Sequence, residues 1–285
     1  MNPGILFALL SLIAAGINDL VFKKYSQKDR SRGVYIFGIG VIWTALQFIT
    51  FKLRGIPFIY TGIDVGFGLW AGIFLTLSNI LLIESFTHLE VGLGSTLYRL
   101  NTIGVVILSF MFLHEPLGTG KVLGICTGII AVIFFYEKKQ NSYQATNKTL
   151  FFVIAILASL FRAMYGVITK AGLMNGADPQ VVLLIISSCW IPGGISYALF
   201  REKRFKVTRK KVLYSILSGG LVYLIVNFLM LAITYGQASI VIPIANMSFI
   251  VALSLSIGMR MERLTRMKGV AIILAGISIL LLSYA

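Results

Sequence analysis

Charge is what this sequence has least of. Only 12% of its 285 residues are Asp, Glu, Lys or Arg, against 58% hydrophobic, and the mean hydropathy is +0.90. That is too little polar surface to cover a soluble fold of this length, so the solvent it implies is a bilayer. Core helices of a soluble protein would give apolar runs of roughly 10–14 residues, whereas most runs here reach about 18–22. Acids are scarcer still, ten against 25 Lys and Arg. The resulting net charge of +15 does not point to nucleic acid, because the basic residues sit in short connections between apolar runs and form no patch on a folded domain. The two cysteines, Cys126 and Cys189, lie inside apolar runs, where a thiol behaves as a small hydrophobe, and His88 and His114 belong to separate connections. Neither a disulfide nor a metal site is expected, and no cofactor. No glycine cluster follows a strand or precedes a Lys-Ser/Thr pair, which removes a phosphate loop. Met1-Asn2-Pro3-Gly4 lacks the basic start of a secretory peptide, so the first helix is expected to be retained.

What remains is a succession of apolar spans near 3–22, 34–51, 63–86, 92–113, 121–136, 149–169, 180–200, 212–233, 239–258 and 269–285. Turn signals such as Arg54-Gly55-Ile56-Pro57 and Gly176-Ala177-Asp178-Pro179 separate them. The spacings Gly62/Gly66, Gly68/Gly72 and Gly124/Gly128 predict close helix packing, since in lipid small residues let backbones approach.

An internal repeat runs at an offset of 147, the difference between each member of the pairs Lys23/Lys170, Trp43/Trp190, Arg54/Arg201, Gly72/Gly219, Glu115/Glu262 and Lys121/Lys268. Trp and Glu coincidences carry weight, because the chain has three Trp and ten acids in all. The halves are 1–140 and 148–285. Five spans per half is an odd number, so the second half enters the membrane from the opposite side. The expected fold is therefore all-α, ten transmembrane helices as two inverted five-helix repeats. Nineteen of the 25 basic residues fall in the connections after spans 1, 3, 5, 7 and 9, which places those connections in the cytoplasm and both termini outside.

The repeated unit reads Glu115-Pro116-Leu117 with Lys121 and Gly124, then Glu262-Arg263-Leu264 with Lys268, Gly269 and Gly276. It resembles the duplicated EamA-type domain of the drug/metabolite transporter superfamily, as do Lys23 and Lys170 closing the first helix of each half. The resemblance implies a ten-helix carrier without a cofactor, driven by a proton or solute gradient. Its substrates would fall among amino acids, sugars, nucleotide sugars, amines and drugs. Members of that superfamily often keep both termini in the cytoplasm, and here the charge count argues the reverse.

Ionisable groups at membrane depth need a physical reason. Arg99 and Arg162 are the outstanding cases. Arg99 fits either a buried pair with Glu84 or a central cavity in which it joins Arg162 to attract a carboxylate or phosphate, which a guanidinium fork suits. Asp19 could offset Arg162 across the bundle, or pair locally with Lys23 four residues on. Glu84 and Asp19 are also the candidates for proton coupling or for a permanent counter-ion. Asn79, Tyr98, Asn101, Tyr165, Asn227 and Asn246 could orient a substrate or bond helix to helix. The offset pairs Arg99 with Asn246 and Asn18 with Tyr165, so chemically different residues face a pseudo-two-fold site. Trp43, Trp70 and Trp190 fit an aromatic box for an organic cation, but Trp43 and Trp190 read more readily as interface anchors. Glu115 and Glu262 read as caps for the helix that follows.

Secondary transport of a small metabolite, anionic or zwitterionic, follows best. Its partners would be that solute, the lipid of a cell (plasma or inner) membrane and a proton as candidate coupling ion. An organic-cation carrier and a channel-like or structural membrane protein are the alternatives. A membrane enzyme is disfavoured, since no nucleophile–base or paired-carboxylate set stands out at one depth.

Overall fold

The computed structural model describes residues 2–26, 31–55, 60–85, 98, 101–135, 148–259 and 265–284. Among them every element is helical: α1 (Pro3–Ser26), α2 (Arg32–Leu53), α3 (Gly62–Ser85), α4 (Asn101–Leu113), α5 (Thr119–Phe135), α6 (Lys148–Met174), α7 (Pro179–Phe200), α8 (Arg209–Tyr235), α9 (Ala238–Asn246), α10 (Phe249–Gly258) and α11 (Arg266–Ser283). Six of these, α1, α2, α3, α6, α7 and α8, are long and apolar enough to cross a membrane, and α4, α5, the α9–α10 pair and α11 are shorter apolar segments. Residues 92–97, 99 and 100 of the expected fourth span lie outside the described residues.

The ends follow from local chemistry. Ser31 caps α2 by accepting from Val34 N–H at 3.1 Å, and Asp178 caps α7 through the N–H groups of Gln180 and Val181 at 2.8 and 3.0 Å, with Pro179 at the first helical position. Thr61 and Asp64 form a reciprocal box at the start of α3, Thr61 N–H reaching Asp64 at 2.8 Å and Asp64 N–H reaching Thr61 at 3.1 Å. The other Asp64 oxygen accepts from Asp178 N–H at 2.7 Å, tying α3 to the α6–α7 turn. Gly176 closes α6 at φ +84°, a left-handed position that glycine occupies without a Cβ penalty.

Packing runs between the halves. The most extensive helix pairs are α2 with α7, α3 with α6, α1 with α8 and α5 with α11, each joining a helix before residue 140 to one after 148. Large side chains such as Phe112, Leu123, Leu213 and Ile273 point outward, as a lipid solvent requires. Small residues lie where backbones cross. A methyl group at Gly72 would come within 2.6 Å of Cys189 Sγ, and one at Gly219 within 2.6 Å of Ile42 Cβ. Gly16 is likewise closed by Val251 and Gly104 by Ala163. In both cases the second contact is the first displaced by 147: Gly72 to Gly219 and Ile42 to Cys189, then Gly16 to Ala163 and Gly104 to Val251.

Two sequence expectations are corrected here. Gly62 and Gly66 face open space, so of the three glycine spacings only Gly68/Gly72, against Ile185 and Cys189, and Gly124/Gly128, against Leu282 and Ser278, serve packing. Trp43 and Trp190 are not interface anchors: both are buried, their rings 5.7 Å apart and edge to face, while Trp70 is exposed and stacks on Phe74. The three tryptophans build no common box, because two of them fill each other's space in the core.

Candidate functional site

The ninth apolar run is broken. Pro243 inside α9 has no N–H to give back to the preceding turn, α9 ends at Asn246, Met247 N–H bonds to Ile244 O at 3.0 Å, and α10 restarts after Ser248. Irregular backbone at membrane depth is tolerated where protein or a cavity covers it. Here Met247 and Ser248 are buried, and polar side chains from neighbouring helices meet the break. Asn246 donates to Asn101 Oδ1 at 2.6 Å and to Thr102 Oγ1 at 3.3 Å, joining α9 to α4. Asn101, itself buried, donates to Tyr98 O at 2.8 Å. Ser248 donates to Asp19 Oδ2 of α1 at 3.2 Å.

Arg162 enters the same level from α6. Its neighbour Ala163 packs at Gly104, one turn beyond Asn101 on α4, and Gly166 packs at Ile242 of α9. The half-buried guanidinium lies 5.2 Å from the ring centre of buried Tyr165, a cation–π distance. Among the described residues it has no ion-pair partner, so the compensation by Asp19 considered from sequence is not present as direct contact. Tyr98 and Ser78 share a contact at 3.3 Å, and Ser78 donates to Ala158 O at 2.7 Å, one turn before Arg162. Asp19, Tyr98, Asn101, Arg162, Tyr165 and Asn246 thus gather around the break. Beside Asn246 this conformation leaves a void of about 10 Å³ between α4, α5 and α9.

Three sequence candidates stand elsewhere. Asn79 donates to Leu75 O of its own helix at 2.8 Å. Asn227 bonds to Gln47 Oε1 at 3.0 Å, and Gln47 to Gln180 at 2.9 Å, a neutral amide chain linking α8, α2 and α7. Glu84 sits at the end of α3, away from the break, where Arg201 Nη2 and Nε reach it at 2.6 and 2.9 Å and Tyr197 at 2.9 Å. Burial opposes ionisation of Glu84, but these hydrogen bonds and the Arg201 charge outweigh it and hold the carboxyl below its ordinary value. At the same end Glu202 accepts from Ser31 Oγ and from the N–H groups of Arg32 and Gly33 at 2.7 and 3.3 Å, fastening the start of α2 to the end of α7. Arg99, Glu262 and the Lys23 side chain lie outside the described residues.

The Glu-x-Leu motif performs a role that sequence reasoning assigned to the wrong helix. Glu115 does not cap α5, the helix after it. His114 takes the left-handed position that ends α4, at φ 54°, and Glu115 reaches across to the start of α9, accepting from Ala238 N–H at 2.8 Å, Ser239 N–H at 2.9 Å and Ser239 Oγ. Buried Lys121 completes the brace, donating to Pro116 O at 2.7 Å, Gln237 Oε1 at 2.6 Å and Ser239 Oγ at 3.0 Å. Lys170 closes the end of α8 by donating to Ile233 O at 2.7 Å and Gly236 O at 2.9 Å. Pro116 apart, each of these partners lies more than 60 residues away, so local spacing could not name them.

An all-helical bundle with lipid-like outer faces and a polar layer at a broken span is an integral, multi-pass membrane protein. Residues 2–136 match the model of the EamA-like transporter family. One solved chain, titled only as the crystal structure of a protein, superposes with a TM-score of 0.81 over 98% of this chain and 95% of that one, at 12% identity, so the fold is shared through both halves. No curated protein sequence matches.

Proposed function

We propose that the chain is a secondary transporter of the cell membrane, carrying a small anionic or zwitterionic metabolite by alternating access between two inverted five-helix repeats, residues 1–140 and 148–285. The observation that carries this reading is Arg162: a half-buried guanidinium without an ion-pair partner among the described residues, level with a broken span. A cation in that position is costly in lipid unless water or an anion stabilises it, and its planar fork suits a carboxylate or phosphate. Asp19, near the same break on α1, supplies an acid for the cationic end of a zwitterion or for proton coupling. Tyr98, Asn101, Tyr165 and Asn246 orient the solute, and Arg99, 147 positions before Asn246, remains a second cation on sequence grounds.

The contacts that recur after displacement by 147 support the inverted repeat, and the narrow void beside Asn246 supports a mechanism in which the halves must part to admit a solute. The charge count assigns the Glu84–Arg201 end to the cytoplasm, where that pair and Glu202 would act as the closed gate. Uptake into proteoliposomes, with amino acids, sugar phosphates and choline-like cations each offered with and without a proton gradient, tests the reading. The expected result is transport of an anion-bearing solute that Arg162→Gln reduces at least about tenfold, a loss of roughly 1.4 kcal/mol of binding, while expression and melting are kept. Normal transport by Arg162→Gln, or a preference for a quaternary amine, would overturn it.

A further inference from the structure

At the end of the bundle opposite the Arg201–Lys211 connection, a crevice of about 330 Å³ opens between the starts of α1 and α9 and the ends of α6, α8 and α11. We infer that this crevice is a binding site for a small oxyanion, a carboxylate or phosphate group, separate from the Arg162 layer. Its polar lining includes Asn2, Lys170, Thr234 and Gln237. The hydrogen bonds already made fix what each has left to offer. An ammonium carries three protons; Lys170 gives two to Ile233 O and Gly236 O, leaving one. Gln237 Oε1 is engaged by Lys121, so its amide NH₂ is the free end. Asn2 Oδ1 accepts from Gly4 N–H, which leaves its NH₂ likewise. Side-chain donors therefore remain on three of these residues; Thr234, which donates to Met230 O, keeps an acceptor oxygen.

The charge agrees with the donor inventory. Lys121 and Lys170 both feel Glu115, whose carboxylate is engaged at α9 as described. Among the described residues two cations and one acid leave a single positive charge beside the crevice. All three protons of Lys121 are taken by protein oxygens, so Lys170 is the cation that can meet a ligand. One net positive charge with donors from three side chains matches one oxyanion and gives little to a cation or to an apolar solute.

Gln237→Glu is the discriminating variant. It keeps the oxygen that Lys121 requires, and the residue 147 positions earlier is already an acid, Glu90. It also cancels the net charge. Binding of inorganic phosphate to the purified protein in phosphatidylcholine nanodiscs is measured by calorimetry, with a parallel titration of phosphatidylglycerol to distinguish a lipid headgroup from a free anion. Wild type is expected to bind one of the two probes, and Gln237→Glu to bind it about tenfold more weakly, with an unchanged or higher melting temperature. The same pair is also compared in the Arg162→Gln background, where the proposed central layer no longer contributes an anion site and the difference made by Gln237→Glu should persist. Binding of neither probe by wild type, or equal binding by wild type and Gln237→Glu, would overturn the inference. So would loss of that difference in the Arg162→Gln background.

Discussion

Replacing Glu115 by Ala tests whether the Glu-x-Leu motif is a brace between the two halves of the chain. The carboxylate is buried and takes two backbone N–H groups from the first turn of α9, at 2.8 and 2.9 Å, together with the Ser239 hydroxyl. Truncation strands two buried donors at about 1–3 kcal/mol each. It also leaves Lys121, 2% exposed, without the acid that balances it. The stranded donors and the lost countercharge overlap rather than add, and about 3–5 kcal/mol is the expected total. For a chain of this size it corresponds to a melting temperature lower by roughly 6–15 °C. Glu115→Gln keeps one acceptor but no charge and should fall between. Leu117→Ala, an exposed position in the same connection, is the control and should shift melting by no more than about 0.5 kcal/mol. The readout is thermal unfolding in detergent followed by intrinsic fluorescence, with Glu115→Gln/Lys121→Met as the double variant. Removing both charges should cost less than the sum of the two single changes. If Glu115→Ala melts with Leu117→Ala, or the double variant is additive, the motif does not brace α9 and the reasoning is refuted.

Adjacent glycines in α8 make a second comparison: Gly219→Ala forces a methyl to within 2.6 Å of Ile42 Cβ and should destabilise by about 1–3 kcal/mol, whereas Gly220→Ala meets nothing within 4 Å and should be neutral or gain about 0.5–1 kcal/mol of helix propensity. Paired melting curves decide it, and a Gly219→Ala protein as stable as Gly220→Ala would contradict the packing. The Glu84–Arg201–Tyr197 clamp predicts a pH dependence of known sign. Its carboxyl is held below the ordinary value, so its stabilisation is present in full above the usual carboxylate range and is lost as pH falls through the depressed folded-state value. The stability difference between wild type and Glu84→Gln should stay flat from about pH 8 to 5 and shrink below about pH 4; a difference that persists unchanged to about pH 3 would remove Glu84 as its source.

Hydropathy and turn chemistry carried the long helices, because each is an apolar run closed by a residue with a local job, such as Gly176 or Asp178. The break after Asn246 was harder to read. The run continues without a charge, Asn246 and Ser248 are single polar residues of a kind that spans tolerate, and the one breaker is Pro243, which can kink a span as readily as end one. Glu84 and Arg201 show a different limit. Arg201 counts as a loop charge in sequence, yet its long side chain turns back to an acid 117 residues away, a choice made by the packing of α3 on α7. For Trp43 and Trp190 the clue was present in their shared offset: under the proposed inverted repeat, equivalent residues meet each other if they lie near its axis. Hydrophobicity alone could not distinguish that place from the lipid boundary.

Scaffold and polar layer obey the offset differently, and the difference bears on what the layer can hold. Where backbones cross, the partners exchange roles and stay small or apolar: Gly72 with Cys189 becomes Gly219 with Ile42, and Gly16 with Val251 becomes Ala163 with Gly104. A side chain enlarged at either crossing would part helices from opposite halves, so sterics preserve the correspondence. Around the break it fails for both charged residues, and polarity is kept at Tyr165 and Asn101. Arg162 corresponds to Ala15, Asp19 to Gly166, Tyr165 to Asn18, Asn101 to Ser248 and Tyr98 to Ala245. Under the proposed inverted repeat, a cation on α6 therefore has no twin on α1, and the acid on α1 has none on α6. A site with two-fold chemistry would present the same charge to both ends of a bound solute. In the proposed site a guanidinium from one half and a carboxylate from the other would favour a solute whose two ends differ in charge over a symmetric dication or dianion.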